Sequence, residues 1–168
     1  MSFLLAAIGA TVTALLETTL ASSSYLTVGN ANLHPVLVIG VIWTIAAGIE
    51  RGIVFAFVGG LTLDVLLGRP IGASAFALLI AVGGATLMAQ PFPRLRTLVP
   101  IVAVPVLSLV YSMLIYVLAN AGQAPGAVAD PVSLFIPGAV YDALLGLLIG
   151  PLIVSIRDRR ATVERLEW

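Results

Sequence analysis

Three carboxylates stand where a carboxylate needs a reason: Glu17, Asp64 and Asp142 each interrupt a long apolar run. Burying one at mid-bilayer costs about 3 kcal/mol even on the permissive insertion scale, so each requires a partner, a proton or water, and none should face lipid. Two uses follow. The acid either serves an intramembrane polar pocket or is a hydrogen-bonded carboxyl that locks helix packing. Catalysis asks for more than the sequence offers. The single histidine, His34, stands beside Pro35 at a helix start, so no Ser, His and acid set is formed. There is no P-loop or dinucleotide glycine pattern. Asp64 and Asp142 are two acids of the kind an intramembrane protease pairs, yet no protease motif surrounds either. With no Cys and one His there is no disulfide framework and no ligand cluster for a metal. The expectation is a non-enzymatic protein without cofactor.

The elements that position these acids follow from composition. Of 168 residues, 60% are hydrophobic and 10% charged, and the mean hydropathy is +1.14. Such a chain has too little polar surface to cover a water-soluble fold. The fold class expected is all-α, a polytopic membrane helix bundle forming one domain over residues 1–156. Apolar runs separated by Arg, Pro or polar clusters predict six spans, about 3–21, 33–49, 51–68, 72–90, 98–119 and 132–156. The second and third are short, and a three-residue joint at Glu50-Arg51-Gly52 makes them a tight hairpin, either spanning or re-entrant. Phe3 to Leu16 lacks a basic n-region and is broken by Glu17, so it reads as a span rather than a cleaved signal.

Charge sets the orientation. All eight basic residues are Arg, and with both termini cytoplasmic seven fall inside: Arg51, Arg94, Arg96, Arg157, Arg159, Arg160 and Arg165. Only Arg69 lies outside. The stiff turn Gln90-Pro91-Phe92-Pro93-Arg94-Leu95-Arg96 is a topology anchor that can also touch anionic lipid head groups or an acidic partner. Residues 157–168 form a basic, amphipathic cytoplasmic tail that can continue as a helix. No basic face suits nucleic acid.

Local signals refine this picture. Pro35 suits the first turn of the second helix, and Pro100 and Pro105 predict a kink early in the fifth. Asp64 lies thirteen residues beyond Arg51, about 20 Å along a helix, in the outer half with Glu17; Asp142 is nearer the midplane. Arg69, or backbone groups of the Gly68 to Gly72 turn, is expected to neutralise Asp64 or Glu17 in an outward-facing polar pocket. Asp64-Val-Leu-Leu-Gly68 recurs as Asp142-Ala-Leu-Leu-Gly146, the trace of an inverted repeat or a coincidence of common residues. Ala6, Ala10 and Ala14, with Gly59-Gly60, Gly83-Gly84, Gly146 and Gly150, make notches for close helix approach. These notches can serve the chain's own helices, a partner's single span or a second copy in a homodimer.

From Pro35 to Gly72 the residues form a pattern: Pro35 near the start of a span, Arg51-Gly52 at a short charged turn, Gly59-Gly60 in the next span, a late Asp64, then Gly68-Arg69-Pro70-Ile71-Gly72. This arrangement resembles MreD, the multi-spanning protein of the bacterial rod-shape and cell-elongation machinery; elsewhere the likeness is one of hydropathy. The resemblance implies a scaffold in the bacterial cytoplasmic (inner) membrane that binds the bitopic protein MreC. Through MreC it would couple MreB filaments to a RodA-type glycan polymerase and its penicillin-binding transpeptidase. Glu17, Gly59, Gly60, Asp64, Arg69 and Asp142 are then the partner or polar-pocket candidates, and the cytoplasmic Arg residues the inner contacts. MreD-like chains also resemble in architecture the substrate-binding S components of energy-coupling vitamin transporters. That alternative expects an Ala-x-x-x-Ala face, which Ala6, Ala10 and Ala14 supply, and an outer pocket, for which Tyr25, Asn30, Asn32 and Glu17 are few.

Overall fold

A computed structural model of the chain describes residues 2–22, 33–91, 95–120 and 131–166, and for residues 2, 21, 22, 119, 131–134 and 156–166 the backbone alone. The expected outer loops and Arg94 therefore lie outside the described residues, as do the side chains of Arg157, Arg159, Arg160 and Arg165. The chain is all-helical, with no strand among the described residues. Its six helices are α1 (Ser2–Ser22), α2 (Pro35–Ala47), α3 (Ile49–Leu67), α4 (Ala73–Ala89), α5 (Val99–Asn120) and α6 (Pro131–Leu166). Three segments are long and apolar enough to cross a membrane: Phe3–Leu20, Val99–Leu118 and Phe135–Ser155. Helices α2 and α4 are apolar but shorter, and α3 carries Glu50, Arg51 and Asp64.

The architecture is built around α2. Its sequence, PVLVIGVIWTIAA, is apolar on every side, and a helix of that kind must be enclosed. It is: ten of its thirteen residues are buried, and it packs against all five other helices. The outer helices are inside-out by the standards of a water-soluble bundle. They bury alanines such as Ala6, Ala10, Ala14, Ala81, Ala85 and Ala103, and expose Leu4, Leu5, Val65, Leu87, Met113 and Leu148. Small residues let helices approach where no apolar solvent-exclusion force drives them together.

Close approaches give the register. Gly40 faces the Phe55 ring, Gly59 faces Val36 and Gly52 meets Thr44, so α2 and α3 run antiparallel. Gly146 against Val104 and Gly150 against Pro100 make α5 and α6 antiparallel too. At Gly60 the backbone of α4 passes so near that a Cβ would strike Ala75. The Ala6, Ala10 and Ala14 stripe is buried against the chain's own bundle, chiefly α3, and is no open face.

Two expectations are corrected. The α2–α3 joint is not Glu50-Arg51-Gly52 but the single residue Gly48, at φ 94° and ψ 162°. Glu50 and Arg51 belong to the first turn of α3, where an acid complements the helix dipole. Pro100 sits in the first turn of α5, where a missing N–H is harmless, leaving only Pro105 inside the helix. The helix α6 runs unbroken from Pro131 to Leu166, 36 residues, so the tail does continue as helix.

Candidate functional site

All three acids of the apolar runs do the same kind of work: each accepts backbone N–H at the start of a helix other than its own. The first N–H groups of any helix have no partner within it, and a buried helix start without acceptors is unstable. The central helix α2 begins inside the bundle, and its cap residue His34 uses no side-chain oxygen of its own. Asp142 of α6 supplies the acceptors: Oδ1 takes the His34 backbone N–H at 2.9 Å, and Oδ2 takes His34 Nδ1 at 3.0 Å and the Ser108 hydroxyl at 2.5 Å. Glu17 of α1 takes the next available amide, Val36 N–H, at 2.9 Å from Oε2. Pro35 lies between them and has no N–H to satisfy. Two acids from two flanking helices thus cap one buried terminus.

Asp64 serves α4 in the same way but from the end of α3. Its Oδ2 accepts Gly72 N–H at 2.8 Å and its Oδ1 accepts Ser74 N–H at 2.9 Å. Its own carbonyl meanwhile accepts the N–H groups of Gly68 and Arg69, the latter at 2.9 Å, which closes α3. One residue therefore ends α3 and starts α4. The intervening turn needs glycine at both ends, since Gly68 lies at φ 62° and Gly72 at φ 97°, where a side chain is strained. Arg69 reaches over this turn to donate Nη1–H to Ser74 Oγ at 3.2 Å.

These parts form one polar cluster. The His34 ring meets Tyr111 edge-on with centroids 5.3 Å apart. The Tyr111 hydroxyl, fully buried, is flanked by the Ser74 and Arg69 side chains without a well-aligned hydrogen bond to either. Among the described residues the one ion pair is His34 with Asp142. With Asp142 ionised, the proton of this contact lies on His34 Nδ1, because a carboxylate can only accept. Asp64 and Asp142 are wholly buried and Glu17 is 6% exposed, so all three lie within the bundle rather than on its surface.

The expected partners divide accordingly. Of the two groups offered for Asp64, the turn's backbone amides take both oxygens, while Arg69 bonds Ser74 instead. Gly59 and Gly60 lie at the α1–α3 and α3–α4 contacts and are filled by Val36, Ala10 and Ala75 of the same chain. Arg51 and Arg96 are half-buried at the opposite end of the bundle from the acids. The Asp-x-Leu-Leu-Gly recurrence marks no equivalent positions, because Gly68 is a left-handed helix terminus whereas Gly146 is helical and packs on Val104. His34, Ser74, Ser108 and Tyr111 were not singled out as partners from sequence. The signal was a polar residue just before Pro35 and hydroxyls within apolar runs, each a ready complement to an acid that had to be satisfied.

Comparison with known protein families, curated proteins and solved structures finds no match for this chain.

Proposed function

We propose that this protein is an MreD-like membrane scaffold of the bacterial elongation complex, with six spans, both termini cytoplasmic, and an MreC-type bitopic protein as its direct partner. The observation that carries the reading is the turn closed by Asp64. The residues on which the resemblance rests, Gly68, Pro70, Gly72 and Asp64, are one hydrogen-bonded unit, with the acid satisfied by the turn that follows it. Gly59, Gly60 and Pro35 of the same pattern pack directly beside that unit or begin the central helix. Used in this way the acids hold a rigid platform. A rigid, apolar-surfaced bundle with short turns is suited to holding partner helices in fixed positions, and MreB filaments, the RodA-type polymerase and the transpeptidase would be reached through MreC.

The transporter alternative is less well supported. An S component needs an open Ala face for its coupling subunit, and here Ala6, Ala10 and Ala14 are buried within the bundle. The deciding experiment is purification of the tagged protein from its own membranes in mild detergent, with mass spectrometry of what remains bound. An MreC-like bitopic protein together with the polymerase and transpeptidase is the expected result. Paired ATPases with a coupling membrane subunit would overturn the reading.

A further inference from the structure

At the end of the bundle remote from the acids, the α2–α3 joint, the end of α4 and Arg96 line an open recess of about 250 Å³, with Thr44, Ile45, Gly48, Thr86 and Gln90 on its walls. That is room for several waters, at about 30 Å³ each, or for a phosphodiester with its neighbouring carbons. The lining is not a self-satisfied network. Thr44 and Thr86 spend their hydroxyl protons on the carbonyls of Gly40 and Val82, so they offer acceptors only. Arg96 has no ion pair or hydrogen bond among the described residues, and its guanidinium carries a fork of N–H donors suited to phosphate oxygens. The Gln90 side chain adds amide donors. Glu50, the nearest acid in sequence, is exposed and does not line the cavity.

A second recess is formed by neighbouring residues of α4 and α5. Met88, Pro91, Leu95, Leu98, Val99 and Val102 line a groove of about 300 Å³ with almost no polar surface. Gln90 and Arg96 face the first cavity, while their chain neighbours Pro91 and Leu95 face the groove. A cationic recess and an apolar one thus lie side by side at the ends of α4 and α5.

We propose that these two recesses form a binding site for one anionic phospholipid, the phosphate held by Arg96 and Gln90 and an acyl chain laid in the groove of Met88, Leu95, Leu98 and Val102. The paired recesses match the two halves of such a molecule, whereas a soluble phosphate would use only the first. The site is independent of which complex the protein belongs to and requires only that the chain lie in a bilayer.

The test is native mass spectrometry of delipidated protein titrated with phosphatidylglycerol or phosphatidylcholine. Phosphatidylglycerol should bind about fivefold more tightly, the effect of one Arg at an anionic head group. Arg96→Gln should abolish that preference, and Arg96→Lys should keep most of it. Leu98→Trp, which fills the groove, should weaken both lipids. Equal binding of the two lipids by the native protein, or an unchanged preference in Arg96→Gln, overturns the proposal. So does displacement of phosphatidylglycerol by excess inorganic phosphate with no effect of Leu98→Trp, which would assign the cavity to a soluble anion. Should Arg96→Gln fail to fold, the Arg96→Lys and Leu98→Trp proteins decide the matter alone.

Discussion

Replacing Asp64 by alanine should loosen one place before it loosens the molecule. The substitution removes both oxygens that accept Gly72 and Ser74 N–H, at 2.8 and 2.9 Å, in a site where Ser74 is fully buried and Gly72 partly so. Losing a cap costs about 0.5–2 kcal/mol, and leaving a buried donor unpaired about 1–3 kcal/mol, so two such amides give a penalty of about 3 kcal/mol. Expressed as local opening, that accelerates amide exchange by about a hundredfold at Gly72 to Ser74. Amides in the middle of α1 and α5 should change far less. Asp64→Asn should fall between, because its carbonyl oxygen still accepts one N–H while its NH2 faces the other. The assay is hydrogen–deuterium exchange in detergent micelles. Circular dichroism should follow the global transition, since a chain without Cys cannot be read by thiol dyes. Unchanged protection of Gly72 and Ser74 in a folded Asp64→Ala protein would refute the capping argument.

Asp142→Ala strips the acceptors from His34 and Ser108 together and should destabilise by about 3–5 kcal/mol, whereas Ser108→Ala should cost only about 1 kcal/mol; thermal unfolding in one detergent compares them. Gly60→Ala should force α3 and α4 apart and lower stability by about 1–3 kcal/mol, because its Cβ would meet the Ala75 backbone. Gly83→Ala is the matched control: nothing lies within 4 Å of its Cβ, and it should be neutral or gain up to about 1 kcal/mol in helix propensity. Equal effects from the two glycine substitutions would contradict the packing described.

Some of this arrangement is legible in the sequence because the physics is local. Pro35 at a helix start, glycines flanking Arg69-Pro70-Ile71, and a tight α2–α3 hairpin are each dictated by a few adjacent residues. The need of Glu17, Asp64 and Asp142 for partners is equally plain, since no apolar run carries a carboxylate without one. Which partner each finds is not plain. Asp142 meets His34 across 108 residues of chain, a pairing set by how α6 lies against α2 and not by any spacing. The joint fell at Gly48 rather than at the charged residues, because a lone glycine at φ 94° turns the chain with no polar flag, while Glu50 and Arg51 are tolerated inside a first turn. The central place of α2 was foreshadowed by its lack of any polar side, although enclosure by five neighbours is a property of the whole bundle.

The cap on His34 also orders events during synthesis. Glu17 and Val36 are only 19 residues apart and can pair as the first hairpin forms, but the acid that completes the same helix start arrives 108 residues after His34. At about 5–20 residues per second, the ribosome needs about 5–20 s to deliver it. Throughout that interval the nascent α2 must hold a His34 amide and imidazole without the acceptors that Asp142 will supply. The last helix therefore acts as a completion signal for the second, and a chain released before Asp142 presents quality-control proteases with a polar defect at its centre.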